Sequence, residues 1–136
     1  MKPAISIAEV ARHIGDLPLP EVDAVVAIER GGLAAGEILA SMLDRPLVRF
    51  RLSYRDDAND PLFDEPQIVE AAQIPVSPGG HLLVVDDVSV SGATLQRARD
   101  HLAGYRISTL VLKGSADLVA FPEIEGCVTW PWTPAA

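Results

Sequence analysis

One stretch near the middle of the chain, Leu82–Leu95, constrains the fold more than any other part of the sequence. It reads LLVVDDVSVSGATL, which is four apolar residues, two aspartates, a short turn and the start of a helix. A short, fully apolar run of this kind is typical of a strand buried on both faces of a parallel sheet. Such a strand brings Asp86 and Asp87 to the carboxyl edge of the sheet, where α/β proteins bind their ligands.

The remaining elements alternate between strand and helix. Ser6 and Glu9 have the spacing of a capping box, which predicts a helix over residues 6–14. Apolar periodicity predicts further helices ending before Pro46 and spanning 91–103, and strands at 22–28, 47–54, 67–70, 82–85, 107–112 and 126–130. This alternation predicts an α/β fold, in which residues 1–136 form a single domain with a parallel sheet flanked by helices.

Composition argues against several classes of function. The formal net charge of −8 repels nucleic acid and anionic membranes, so neither is expected as a main partner. No apolar run approaches the roughly 18–20 residues that cross a bilayer. Glu9 and Arg12 interrupt the first apolar stretch, which argues against a signal peptide, and the single Cys127 fits a reducing compartment. We therefore expect a cytoplasmic protein.

Four arginines run against this acidic average: Arg45, Arg49, Arg51 and Arg55. They form either a cationic strip that attracts a small polyanionic substrate or a set of solvated surface side chains. The sequence leaves both interpretations open.

The turn after the two aspartates has the properties of a phosphate site. Gly92 allows the backbone to approach a ligand, and the following helix points its free amides at the turn. Hydrogen bonds to a charged group contribute about 1.5–3 kcal/mol each. The helix dipole contributes only about 0.3–1 kcal/mol. The loop would therefore be the main phosphate holder, while the carboxylates accept hydrogen bonds from sugar hydroxyls and help organise Mg²⁺. The alternative is an ordinary strand, turn and capped helix.

In this order, the motif resembles the 5-phosphoribosyl-1-pyrophosphate (PRPP) motif of the type I phosphoribosyltransferases. The resemblance implies that Asp86 and Asp87 are the catalytic pair, contacting the ribose hydroxyls and Mg²⁺, the latter largely through the substrate. It also implies that the 5-phosphate is bound by Val88, Ser89, Val90, Ser91, Gly92, Ala93 and Thr94.

Two upstream segments are similar to the hypoxanthine and xanthine-guanine branch of that family. The segment VVAIERGGL, residues 25–33, resembles its pyrophosphate loop, which assigns Arg30 and Gly31 to pyrophosphate. Ser53 and Tyr54 resemble the start of its lid, which would exclude water from the reacting ribose. A plain strand-to-helix turn and simple packing of Tyr54 are the structural alternatives.

Two segments near the C-terminus, VLK at residues 111–113 and WPW at residues 130–132, resemble the base-recognition segment of that branch and imply a small base-recognition hood. By this resemblance Lys113 donates to the exocyclic oxygen of a 6-oxopurine, the backbone of Val128 contacts the base edge, and Trp130 is a candidate for stacking on the base. A solvated Lys113 and a hydrophobic plug or dimer contact of tryptophans are the alternatives.

Two positions depart from the purine enzymes. Val90 stands where that branch usually has an aspartate that accepts the proton of the purine nitrogen, and Cys127 stands where a stacking aromatic is expected. A general base contributes about 10²–10⁴-fold, and this chain either loses that factor or supplies the base from another position.

Three functions follow from the resemblance. The favoured one is an enzyme of nucleotide salvage that binds PRPP and a nucleobase, with Mg²⁺ as cofactor and a 6-oxopurine as acceptor. The second is a non-catalytic regulator that binds PRPP or a nucleotide, and the third is a transferase for a pyrimidine or other acceptor. The resemblance also implies a homodimer.

Overall fold

A six-stranded sheet forms the centre of the molecule. The computed structural model describes residues 4–29, 31–53, 67–70 and 73–132, with only the backbone described for residues 52–53 and 67–70. The strands are β1 (Ala24–Glu29), β2 (Leu47–Ser53), β3 (Gln67–Glu70), β4 (His81–Ser89), β5 (Arg106–Gly114) and β6 (Leu118–Val119). Their order across the sheet is β3-β2-β1-β4-β5-β6, and β3 is antiparallel to β2 while all other neighbours are parallel.

Helices cover both faces of this sheet, as the sequence predicts. They are α1 (Ile7–Gly15), α2 (Leu33–Leu43) and α3 (Ala93–His101). One core cluster joins α1 and α2 to one face of the sheet and includes Ile14, Leu39 and Leu83. The other joins α3 to the opposite face and includes Leu82 and Val84 of β4. The fold class is therefore confirmed.

The first helix begins where its capping signal places it. The Ser6 hydroxyl accepts a hydrogen bond from the Glu9 amide at 3.1 Å, and the Glu9 carboxylate reaches back to the Ser6 amide. Val10 and Ile14 are fully buried one turn apart, so a single apolar stripe attaches α1 to the core.

The strand predicted at residues 126–130 is wrong. Thr129 forms only an isolated bridge with Ala4, and Trp130 packs into the core without joining the sheet. The outer strand is instead Leu118–Val119, which pairs with Leu110 and Val111. Two residues give no periodic pattern, which explains why the sequence did not indicate this strand.

Two other boundaries differ near the candidate site. Strand β4 continues past Val85 to Ser89, because Val88 and Ser89 still pair with Lys113 and Gly114 of β5. Helix α3 begins at Ala93 rather than Ser91, because Gly92 adopts a φ of 81° that no helix accommodates. In the described ranges, no helix is both long and apolar enough to cross a membrane.

Candidate active site

The two aspartates lie at the carboxyl end of β4, in the middle of the sheet. Asp86 is 8% exposed and Asp87 is half-buried. The Asp87 amide donates to Oδ1 of Asp86 at 2.8 Å, and the Val88 amide donates to Oδ1 of Asp87 at 2.7 Å. Each carboxylate thus accepts a hydrogen bond from the amide of the next residue.

The environment of Asp86 opposes its ionisation. Burial, and secondly the negative charge of Asp87, raise the pKa of Asp86 well above its ordinary value of 3.8. The neutral form of a carboxyl group can donate a hydrogen bond as well as accept one. Asp86 is therefore suited to hold a hydroxyl group in the low-dielectric interior, and an approaching cation would favour its ionised form.

The turn between β1 and α2 packs directly against this pair. A Cβ atom added to Gly31 would lie 2.5 Å from the Asp87 carboxylate, and one added to Gly32 would lie 2.9 Å from Cα of Asp86 and collide with the Val85 carbonyl oxygen. Both glycines therefore lie where the backbone approaches the aspartates closely. The resemblance assigns Gly31 to pyrophosphate and does not indicate this contact with the aspartates. Arg30 lies outside the described residues.

The loop after β4 combines buried and exposed residues. Ser89 is 6% exposed, and its Oγ has no hydrogen-bond partner among the described residues, whereas Val90 is 88% exposed. The Ala93 amide donates to Oγ of Ser91 at 3.2 Å. Gly92 supplies no side chain to cap α3. The backbone amides in the first turn of the helix therefore face this loop, as an anion site would require.

The carboxyl end of β5 borders the same loop. Lys113 is half-buried and pairs in register with Val88, which places it at the edge that holds the aspartates. Gly114 has a φ of 110°, and a Cβ atom there would collide with the Ser89 carbonyl oxygen. The Ser115 amide donates to that same oxygen at 2.9 Å, so the ends of β4 and β5 are tied together.

Trp130, the candidate for stacking on a base, is buried in the C-terminal segment. Trp130 is 5% exposed, and its ring lies between Phe121 and Trp132, each 5.7 Å away between ring centroids. Val128 packs against the same core, and Cys127 is exposed. The position of Trp130 supports the hydrophobic-plug interpretation and leaves little ring surface for a base.

Arg49, one of the four arginines of the cationic strip, forms an ion pair with Glu29. Nε of Arg49 lies 2.6 Å and one terminal nitrogen 3.1 Å from the two carboxylate oxygens of Glu29, the last residue of β1. Sequence reasoning missed this pair, although Glu29 directly precedes Arg30 and Gly31 in the sequence. Arg45 and Arg51 are exposed, and Arg55 lies outside the described residues. Of the two predicted lid residues, Ser53 ends β2 and Tyr54 also lies outside the described residues.

The donor set at this edge fits Mg²⁺ bound partly by a substrate. In the part of the chain that the structure describes, no group of three or more His, Cys, Asp or Glu side chains could hold a metal by itself. Asp86 and Asp87 nevertheless supply two adjacent carboxylates. Mg²⁺ usually binds through one or two carboxylates together with water and substrate phosphates, so this pair suffices as the protein's share.

Comparison with known proteins adds a family and a set of folds. The family model described as "Phosphoribosyl transferase domain" matches residues 5–116. No curated protein matches the sequence at a significant level. The region matched by the family includes every strand of the sheet up to β5.

Three solved structures illustrate the similarity of fold. The purine phosphoribosyltransferase of Pyrococcus horikoshii is 21% identical, with a TM-score of 0.81 over 99% of this chain and 95% of that one. The xanthine-guanine-hypoxanthine phosphoribosyltransferase of Helicobacter pylori is 17% identical, with a TM-score of 0.63 over 98% and 94%. The orotate phosphoribosyltransferase of Aeropyrum pernix is 24% identical, with a TM-score of 0.54 over 84% and 60%.

Proposed function

This chain belongs to the phosphoribosyl transferase domain family and is a phosphoribosyltransferase of nucleotide metabolism; on that premise we propose that it transfers the phosphoribosyl group of PRPP to a nucleobase, with a 6-oxopurine as the favoured acceptor. Pyrophosphate is the second product. Mg²⁺ is the proposed cofactor, and the protein acts in nucleotide salvage.

One observation carries the proposal: the glycine turn, the aspartate pair and the loop after β4 meet at one edge of the sheet. Gly31 and Gly32 lie against Asp87 and Asp86, and the loop follows the aspartates without interruption. A ligand with a phosphate at each end of a pentose needs two anion sites separated by groups that accept hydroxyl hydrogen bonds. The adjacency of the turn, the aspartates and the loop supports this arrangement.

The site residues at the carboxyl end of β4 have the following roles in the proposed reaction. The residues from Val88 to Thr94 hold the 5-phosphate through amides and hydroxyls, and the Oγ of Ser89, which has no hydrogen-bond partner among the described residues, is a candidate donor. Asp86 and Asp87 hold the ribose hydroxyls and steady the positive charge that develops on the ribose ring. These two carboxylates, together with the substrate, would hold Mg²⁺, which would supply neutralisation of charge on the leaving pyrophosphate.

The bond changes are those of a substitution at the anomeric carbon. A nitrogen of the base forms a bond to that carbon as its bond to the pyrophosphate oxygen breaks, and the bonding electrons leave with pyrophosphate. Gly31 and Arg30 are the proposed pyrophosphate contacts, and Ser53 and Tyr54 the proposed lid; the assignments of Arg30 and Tyr54 rest on the sequence alone. The proton of the attacking nitrogen passes to water or to another acceptor.

Acceptor recognition is assigned to the carboxyl end of β5 and the hood. Lys113 is the proposed donor to an exocyclic oxygen of the base, since it lies in register with Val88 at the edge of the loop. The Val128 backbone is the proposed contact to the base edge. Trp130 is retained as the stacking candidate from the sequence, although its burial requires the hood to open before it could contact a base.

Val90 favours a second candidate function. Its side chain is 88% exposed at the tip of the loop, where it offers hydrocarbon and no proton acceptor. An acceptor whose attacking nitrogen needs no base at this position, such as a pyrimidine or another ring, would be less affected than a 6-oxopurine. The same residue is compatible with a regulator that binds PRPP or a nucleotide without turnover.

Release of pyrophosphate from PRPP and Mg²⁺, measured across a panel of bases, separates these functions. Turnover with hypoxanthine, guanine or xanthine supports the favoured function, and turnover with a pyrimidine or another base alone supports the second. Binding of PRPP without turnover on any base supports the regulator. Absence of PRPP binding would reject all three. Analytical ultracentrifugation of the same preparation tests the proposed homodimer.

A further inference from the structure

The ion pair between Glu29 and Arg49 joins the last residue of β1 to an interior residue of the neighbouring parallel strand β2. The Glu29 side chain is 11% exposed and the Arg49 side chain 60% exposed. Glu29 lies two positions after Ala27, whose side chain packs against Gly36 of α2. Because side chains alternate along a strand, Glu29 points to the same face of the sheet as Ala27, close to the beginning of α2.

The position of Glu29 creates an electrostatic difficulty for the proposed reaction. Glu29 lies two residues before Gly31 in the sequence, and a Cβ atom added to Gly31 would lie 2.5 Å from the Asp87 carboxylate. Glu29 therefore precedes, and Asp86 and Asp87 pack against, a turn that should receive a pyrophosphate group. A fixed negative charge beside a polyanion opposes its binding, particularly where burial limits screening.

We propose that Arg49 is a positioning residue that neutralises Glu29 and so makes the β1–α2 turn competent to hold the pyrophosphate end of the substrate. Arg49 makes a two-point contact with both carboxylate oxygens, which holds the Glu29 side chain in place as well as cancelling its charge. This inference rests on the proposed binding of PRPP. It assigns to Arg49 an effect on the substrate that passes through Glu29 rather than through direct contact.

The inference predicts a pattern across three variants. Arg49→Gln leaves Glu29 uncompensated and should weaken binding of PRPP with Mg²⁺ roughly three- to tenfold. Glu29→Gln removes the offending charge and should leave PRPP affinity unchanged or improve it. The double variant Glu29→Gln/Arg49→Gln should bind PRPP within about twofold of the native protein, because it removes the negative charge of Glu29 together with the positive charge that neutralises it.

Ribose 5-phosphate serves as the internal comparison for each variant. It carries the phosphate that the 88–94 loop should bind but lacks pyrophosphate, so its affinity should be unchanged by all three substitutions. Isothermal titration calorimetry gives both affinities, and thermal unfolding reports whether each variant is folded. Arg99→Gln is the matched control, since Arg99 forms a comparable ion pair with Asp117, 3.2 Å away, between α3 and the residues before β6.

Several outcomes would overturn the inference. A double variant as weak as Arg49→Gln would mean that Arg49 contacts the substrate directly. Equal weakening of PRPP and ribose 5-phosphate would mean that the pair acts on the fold as a whole. Unchanged PRPP affinity in Arg49→Gln would reject the role of Arg49 while leaving the proposed function intact. Failure of the native protein to bind PRPP would instead reject both.

Discussion

Asp86 illustrates how a buried ionisable group can serve a site at the expense of stability. Below pH 3.8 the carboxyl is protonated in both the folded and the unfolded chain. Above that value the unfolded chain loses its proton, whereas the raised pKa of Asp86 keeps the folded chain protonated over a further range. Folding stability contributed by this residue therefore falls as pH rises through that window.

Asp86→Asn should consequently stabilise the ligand-free protein at neutral pH. Asparagine resembles the neutral carboxyl in shape and has no proton to lose, so the gain should appear in thermal unfolding at about pH 7 and shrink towards about pH 4. Turnover should fall in the same variant. Asp100→Asn, which removes an exposed aspartate on α3, controls for the loss of one charge. A native protein that is more stable than Asp86→Asn at neutral pH would contradict this account.

Substitutions at Val90 test whether the absence of a proton acceptor at this position limits the reaction. Val90→Asp restores a proton acceptor at an exposed position, so the substitution should not disturb the core. We expect turnover with a 6-oxopurine to rise by about tenfold or more, as general base catalysis allows. Val90→Asn has nearly the same shape as the aspartate variant without a comparable base and should not show the rise. Equal rates in all three proteins would show that proton removal is not limiting.

Among the elements, the turn between β1 and α2 has the least room for change. A Cβ atom at Gly32 would meet backbone atoms of Val85, Ile28 and Asp86, which cannot move without disturbing the central strands. At Gly31 it would meet the end of the Asp87 side chain, which can rotate. The two adjacent glycines therefore have different reasons for being glycine.

Gly32→Ala should destabilise the protein by roughly 1–3 kcal/mol, as overpacking of a tight contact usually does. Gly31→Ala should remain folded but lose PRPP affinity, because it displaces the Asp87 carboxylate. Gly126→Ala, where the added atom meets nothing within 4 Å, is the matched control. Urea unfolding and PRPP titration of the three variants make the comparison. The prediction fails if Gly31→Ala is the less stable of the two turn variants.

At this scale, the sequence predicted the elements that carry strong local patterns. The capping box of Ser6 and Glu9 and the buried face of α3 at Leu95, Ala98 and Leu102 are confirmed. It could not predict β6, because Leu118 and Val119 join the sheet only through their pairing with β5. Pairing of this kind depends on tertiary contacts that no local pattern records.

Some features of the candidate site could likewise be predicted from local sequence, and others depend on tertiary packing. The proximity of Asp86, Asp87 and the following loop could be predicted because they are consecutive in sequence. The Glu29–Arg49 pair and the burial of Trp130 could not, because each depends on where a distant segment packs. The sequence also treated Asp86 and Asp87 as equivalent, whereas alternation along β4 buries the first more deeply than the second.

For the molecule as a whole, Trp130 connects the C-terminal segment to the main core. Trp130→Ala should lower the free energy of unfolding by about 3–5 kcal/mol, the usual cost of removing a large buried aromatic side chain. Trp132→Ala should cost less, since Trp132 is only half-buried. Chemical denaturation measures both. A Trp130→Ala protein with native stability but weakened base affinity would instead support the stacking role taken from the sequence.

The strand order also has a kinetic consequence. The Asp23 carboxylate accepts a hydrogen bond from the His81 amide 58 positions away, where β1 meets β4 at the centre of the sheet. The chain must close this long loop before the central pairing can return any energy, which slows the search for the native topology. Substitutions in the contact between β1 and β4 should thus retard refolding, whereas those in the peripheral β6 and hood should mainly hasten unfolding.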